Sequence, residues 1–215
     1  SRWRRADANG ERSHCQHPSK SNCFAMTGAA VQLQSARLHI RHAYTDDIPA
    51  ILAYYTKNKH HLLPFEPLKP ASFYTAEYWG NALPQRLTET EADRSLKLFI
   101  FPHDSACEVI GALNFSNFVR GVFQACTVGY SLAYACQGQG YMSEAMHAGI
   151  NHMFSQRQFH RIGANYIPYN QRSAALLKRL GFVIEGYARD YLYINGRWQD
   201  HVLTSLTNPT VKPVI

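Results

Sequence analysis

CQGQGYMSEAM, residues 136–146, puts two glycines, Gly138 and Gly140, directly before a segment with helical spacing. Met142, Ala145, Met146, Gly149, Ile150 and Met153 recur at the interval of one helix face, so a helix is expected to start near Tyr141 and pack on a sheet. A helix N-terminus carries unpaired N–H groups and the positive end of the dipole, and glycines let an anion approach that backbone closely. Two readings stay open on these residues alone. One is a cradle for a phosphate or pyrophosphate; the other is a tight strand-to-helix turn in which glycine supplies only backbone freedom.

The type of phosphate ligand can be narrowed. A dinucleotide fingerprint needs a third glycine where Ser143 stands and an acidic residue about twenty positions on, where Gln158, Phe159 and His160 stand. A nucleoside-triphosphate loop ends in Gly-Lys-Ser/Thr, but Gly140 is followed by Tyr141 and Met142. A pyrophosphate whose attached group runs back along the preceding strand remains.

That strand is FQACTVGYSLA (123–133), preceded by LKLFIF (96–101) and EVIGALNFSNF (108–118), with a polar turn and VRG as connections that predict antiparallel hairpins. Upstream, RLHIRHA alternates as a strand, DDIPAILAYYTKNK reads as a helix, and SFYTAEYWGNALPQRLTETEADR as a second helix broken near Pro84. Downstream, HRIGANYI is a strand and NQRSAALLKRLGF a helix, with Asn170 as N-cap and Gly181 as the residue that ends it. FVIEGYARDYLYI and RWQDHVLTSLT then flank Asn195-Gly196, a hairpin-turn pair. The order β-α-α-β-β-β-α-β-α-β-β describes one α+β domain over residues 36–208, with tails at 1–35 and 209–215.

Residues 1–35 show no period and lack the apolar core of a secretory signal; Met26 is a candidate start, and the residues before it read equally as part of the protein or as an extension. His14, Cys15, His17 and Cys23 match no common zinc spacing, so no metal is expected. The five cysteines, at 15, 23, 107, 126 and 136, are odd in number and scattered, which suits a reducing cytoplasm better than a disulfide framework. Of the net charge of +7, the first 35 residues supply +3 (five Arg/Lys against two Asp/Glu), so specific DNA binding is not expected. No run approaches the length of a membrane span.

A strand ending VGYSL, an x-G-x-G turn, a helix, a strand and then N-x-x-S-A-x-x-L-x-x-x-G-F together resemble the GNAT superfamily of acetyl-CoA-dependent N-acetyltransferases. NFSNFVRG, the PFEP loop and the run from His160 to Leu203 are similar to its RimJ branch, the ribosomal-protein alanine N-acetyltransferases. The resemblance implies the GNAT fold: a mixed, mostly antiparallel sheet of about seven strands flanked by helices. It implies acetyl-CoA as co-substrate, its pyrophosphate held by backbone N–H groups of Gln137, Gly138, Gln139, Gly140, Tyr141, Met142 and Ser143. Ala135 stands where the superfamily's turn often begins with Gln or Arg, which removes a side-chain contact only. The pantetheine would lie along TVGYSLA, with a backbone N–H among Tyr130, Ser131 and Leu132 polarising the acetyl carbonyl and Gly129 permitting a bulge. Asn170 would contact the coenzyme and Ser173 would stabilise or protonate the leaving thiolate.

Acetyl transfer to an amine needs a neutral amine, its orientation, oxyanion stabilisation and protonation of the thiolate. An α-amine, with a pKa near 8, is about one-tenth neutral at pH 7, whereas lysine is almost wholly charged. An N-terminal acceptor therefore asks little of a base. The glutamate base of RimL-type enzymes would fall on Leu192; Glu66 is the first substitute and Asp190 the second, with His60 and His61 as candidate relays. Cys136, beside a positive helix end, would be a somewhat acidic thiol without a role. The expected catalytic set is Ser173, Glu66 and Tyr130.

The expected activity is acetylation of a protein N-terminus, that of an alanine- or serine-initiated ribosomal protein, by a cytoplasmic monomer or homodimer associating with the ribosome. Two alternatives stand beside it. One is an acetyltransferase for a small amine such as a polyamine, aminoglycoside or amino acid; a polyamine site would concentrate acidic residues, and Glu66, Glu77, Glu89, Glu91 and Asp93 are spread too evenly to decide. A ribosome- or RNA-associated protein with a vestigial site would not need Gly138, Gly140 and Ser173 intact.

Overall fold

The structure, a computed structural model, describes residues 30–212. Eight strands form one sheet in the order β1-β2-β3-β4-β5-β6-β8-β7. They are β1 (Gln32–Gln34), β2 (Leu38–Arg41), β3 (Leu96–Pro102), β4 (Gly111–Val119), β5 (Ala125–Leu132), β6 (Arg161–Tyr166), β7 (Val183–Ile194) and β8 (Arg197–Thr207). Every pairing is antiparallel except β5 with β6. The helices are α1 (Ile48–Lys57), α2 (Lys59–Leu62), α3 (Ala76–Glu91), α4 (Tyr141–Ser155) and α5 (Gln171–Arg179).

The central strands are buried on both faces, which is why LKLFIF reads as an apolar run interrupted only by the half-buried Lys97, which pairs with Glu89. Alternation splits that run between two cores. Leu96, Leu98 and Ile100 join Met142, Met146, Ile150 and Met153 of α4 and Leu176 and Leu177 of α5. Phe99 and Phe101 join Ile51, Tyr54 and Tyr55 of α1 and Trp79 and Leu83 of α3. Helices thus cover both faces of the sheet.

The eighth strand is an addition to the expected seven. Gln32–Gln34 pairs with His39–Arg41, inside the stretch read as tail, because three residues are too few to display a period. The helix expected to break near Pro84 runs unbroken from Ala76 to Glu91, anchored by Trp79 and Leu83 before the proline and buried Thr90 after it. Gly129 carries no bulge: it pairs with Asn114 in continuous register, and the shift lies between Ser116 and Val119, where Asn117 takes φ +54°. Asn170 is the N-cap of α5, its Oδ1 accepting from Ser173 N at 3.1 Å. Gly181 (φ +85°) ends that helix, and Asn195 and Gly196 both have positive φ as their hairpin turn requires. The His14, Cys15, His17, Cys23 cluster and Met26 lie outside the described residues; among the described residues no group of three or more His, Cys, Asp or Glu is arranged to hold a metal ion.

Candidate active site

The sheet opens at its centre. β5 and β6 pair in parallel only at Ala125–Arg161, Cys126–Ile162 and Thr127–Gly163. β5 continues to Leu132 against β4, and β6 to Tyr166 against β8, so beyond Thr127 the two strands part. The β6-facing backbone edge of β5 past Thr127 is left without a strand partner, which offers hydrogen-bonding groups to an extended molecule laid in the gap.

Two hydroxyls bridge the gap. Tyr130 Oη, from β5, and Ser173 Oγ, from the first turn of α5, lie 2.6 Å apart. Burial, only partly offset by the bond to Ser173, pushes the Tyr130 hydroxyl up to about 12, so it keeps its proton and can donate. Ser131 is held from the opposite core: Tyr54 Oη donates to its Oγ at 2.9 Å. Burial raises the Tyr54 hydroxyl well above its usual range.

At the end of β5 the chain makes a single 3-10 turn, Tyr134–Cys136, and enters α4 through the glycine turn. Gly138 (φ +76°) and Gly140 (φ +83°) both occupy the left-handed region, and nothing stands within 4 Å of where a Gly138 Cβ would be. Gly140 is the N-cap residue, so no side chain satisfies the first-turn amides of α4. Gln139 Nε2 donates back to the Ala135 carbonyl at 2.9 Å, closing the turn on itself. Gln137 Nε2 lies 2.7 Å from His61 Nε2, while the buried Gln137 Oε1 has no partner. A parted strand edge, an orphaned acceptor, a glycine-lined turn and bare helix amides follow one another from β5 to α4, and they are the groups that an extended amide-bearing chain ending in a diphosphate would need.

The remaining candidates are spread around these groups. Glu66 pairs with Lys69 at 2.7 Å, and its carbonyl accepts from Asn195 N at 3.1 Å, so the PFEP loop docks on the tip of the β7–β8 hairpin. Asp190 lies along that hairpin at a positive-φ position, its N–H donating to Asp200 Oδ1 at 2.9 Å. Leu192 is exposed on the same strand. His60 is exposed at the end of α2, whereas His61 turns inward to Gln137 and to the Leu132 carbonyl. Cys136 departs from its expected acidity: burial first, then Glu108, raises its thiol above the usual value.

Sequence reasoning missed Tyr54, whose hydroxyl reaches β5 from α1, and Arg37, which reaches the glycine turn from the β1–β2 connection. Both act across the fold and carry no local pattern. The only local hint was Glu144, a carboxylate in the first turn of the helix that the glycines introduce.

Three comparisons bear on this geometry. The sequence profile of the acetyltransferase (GNAT) domain matches residues 37–183. Over 184 residues the chain is 45% identical to the ribosomal protein uS5-alanine N-acetyltransferase of Escherichia coli K12, covering 85% of this chain and 94% of that protein. The crystal structure of ribosomal-protein-S5-alanine acetyltransferase from Vibrio fischeri superposes with a TM-score of 0.80 at 39% identity, covering 85% of this chain and 100% of that one. Mycobacterium smegmatis RimJ in complex with CoA-disulfide superposes with a TM-score of 0.76 at 28% identity, covering 83% of this chain and 86% of that one.

Proposed function

The chain belongs to the GNAT acetyltransferase family, and on that premise we propose that it transfers the acetyl group of acetyl-CoA to the N-terminal α-amine of a ribosomal protein that begins with alanine. The observation that carries the reading is the parting of β5 from β6 with Tyr130 and Ser173 facing each other across it. Two of the relatives named above, those of Escherichia coli and Vibrio fischeri, are alanine acetyltransferases of ribosomal protein uS5 (S5) by name, and the Mycobacterium smegmatis structure holds coenzyme A as a disulfide.

In this reading the unpaired edge of Tyr130, Ser131 and Leu132 lines the pantetheine, and a backbone N–H there hydrogen-bonds the acetyl oxygen as it gains charge. Gln137 Oε1 accepts from a pantetheine amide, and the backbone from Gly138 to Ser143 takes the diphosphate. The Tyr130–Ser173 hydroxyl pair stands where the thiol leaves.

The reaction needs one bond formed and one broken. The neutral amine adds to the thioester carbonyl, the C–S bond breaks, and the sulfur takes a proton from the hydroxyl pair, which the proton lost by the amine restores through solvent. Lys69 already pairs with Glu66, so we assign Glu66 to holding its loop against the β7–β8 hairpin rather than to proton removal, and the neutral fraction of the α-amine suffices. The acceptor peptide is assigned to an open cleft of about 430 Å³ between the β7–β8 hairpin and the segment after β6, lined by Pro168, Tyr169, Tyr187, Trp198 and Asp200.

Thiol release from acetyl-CoA tests the proposal with a panel of acceptors. These are the uS5 N-terminal peptide, Ala- and Ser-starting peptides, the same peptides blocked at the α-amine but containing lysine, and spermidine. Turnover confined to free α-amines is expected. Turnover with spermidine or blocked lysine peptides, and none with free α-amines, would overturn it.

A further inference from the structure

The helix proposed to receive the diphosphate carries a carboxylate, Glu144, in its first turn. A fixed negative charge there opposes an incoming anion across a few ångströms of partly shielded space. Burial alone would raise the Glu144 carboxyl, but hydrogen bonds from Ser35 and Arg37 outweigh it and hold the group below its usual range, so it stays ionised.

Its partners all come from the β1–β2 connection. Ser35 Oγ and Arg37 N each donate to Oε1 at 2.7 Å. Arg37 Nε and Nη2 each approach Oε2 at 2.8 Å, so the guanidinium engages the carboxylate through two nitrogens. Arg37 also reaches past Glu144 to the turn itself. Its Nη1 donates to the Gln139 carbonyl at 3.1 Å, its Cζ lies 4.4 Å over the Tyr141 ring, and its Nη2 is 3.4 Å from where a Gly140 Cβ would stand. Nearly half of the Arg37 side chain, 47%, remains exposed.

We propose that Arg37 is a positioning residue for the diphosphate of acetyl-CoA: it cancels the charge of Glu144 at the mouth of α4 and braces Gln139 to Tyr141 in the conformation that presents their backbone amides. The inference rests on the reading of residues 137–143 as the diphosphate turn. Without Arg37, Glu144 keeps its charge and its Ser35 bond, and the mouth of the helix turns from anion-attracting to anion-repelling. Removing the charge of Glu144 as well relieves the repulsion, which a purely structural role for Arg37 would not allow.

Steady-state kinetics with acetyl-CoA varied, and with S-acetylpantetheine as a donor lacking the diphosphate, separate the possibilities. Arg37→Ala is expected to raise the acetyl-CoA KM about ten-fold with kcat within two-fold of wild type, and to leave kcat/KM for S-acetylpantetheine within two-fold. The double variant Arg37→Ala/Glu144→Gln should recover at least half of the lost affinity on a logarithmic scale. Glu144→Gln alone, which retains the acceptor for Ser35 and for the Arg37 backbone, should lower the KM about two-fold and keeps the test available if Arg37→Ala does not fold. An equal loss with both donors, a double variant no better than Arg37→Ala, or a raised KM in Glu144→Gln would overturn the proposal. A wild-type enzyme that uses S-acetylpantetheine as well as acetyl-CoA would instead remove the diphosphate-turn reading on which it rests.

Discussion

Tyr130 Oη and Ser173 Oγ, 43 residues apart in the chain, meet at 2.6 Å across the gap where β5 and β6 cease to pair. Ser173 N also donates to the Asn170 side chain, so the capping of α5 and the hydroxyl pair are one unit. The pair is built from a strand and a helix terminus, both anchored in the larger core, and its geometry is set before any substrate arrives.

Ser173→Ala removes one hydroxyl and leaves the Asn170 cap intact, because that cap uses the Ser173 backbone. We expect kcat to fall roughly 10- to 100-fold with the acetyl-CoA KM within about three-fold, as for loss of a group acting on the leaving thiolate. Tyr130→Phe should fall in the same range. Single-turnover rates of the double variant should be close to those of either single variant, since the two hydroxyls act together.

His61 holds Gln137 only while its Nε2 can accept the amide N–H. Burial first, then Arg172, lowers the imidazole pKa, so the ring stays neutral at pH 7 and somewhat below its ordinary value of 6.5. The acetyl-CoA KM should therefore be flat from pH 8 to about 6.5 and rise at lower pH, as an Nε2–H comes to face the Gln137 amide. In His61→Ala the KM should be higher throughout and lose that acid rise; a profile identical to wild type would refute the link.

His42 is buried, accepts from Val31 N at 3.1 Å and lies 3.2 Å from Thr90 Oγ1, so it joins β2, the chain entering β1 and the end of α3. Burial first, then the charges of Arg157 and Arg86, lowers its pKa from 6.5 to about 4. A depressed folded-state pKa means the unfolded chain binds the proton first as pH falls. Stability from this group is complete above pH 6.5 and is lost as pH drops through 4. Urea unfolding at pH 7.5 and pH 5 should show a stability difference about 2 kcal/mol larger in wild type than in His42→Gln.

Gly149 lies in the middle of α4, where alanine would ordinarily be better by about 1 kcal/mol. A Cβ at this position would stand 2.7 Å from Leu113 Cδ2 and 3.0 Å from Phe115 Cε2, so α4 could not keep its approach to β4. Gly149→Ala should thus destabilise by about 1–2 kcal/mol, read as a lowered Tm. Because α4 begins at the glycine turn, the same displacement should raise the acetyl-CoA KM.

Much of the fold is local information. The 3.6 period of α4, the Asn170 cap and Gly181 stop of α5, the Asn195-Gly196 turn and the largely apolar run of β3 each depend on a few neighbouring residues, and each stands where the sequence pattern puts it. The glycine turn belongs with them, since positive φ at Gly138 and Gly140 is written in the residue type. β1 and the continuity of α3 through Pro84 were not legible, because a three-residue strand exists only through its partner β2 and α3 is held by Trp79 and Leu83 in a core its own sequence does not contain.

The sequence alone determined the order of the elements other than β1 and the short α2, and the turn that opens α4. Which side chains meet at the site was decided by the tertiary structure. Ser173 faces Tyr130 because β6 lies beside β5 and then diverges; Tyr54 supports Ser131 because α1 packs on the opposite face; and Arg37 reaches Glu144, 107 residues away, because β2 brings the β1–β2 connection to the head of α4. Each pairing follows from strand order and layer packing, and no periodicity within one segment carries that information.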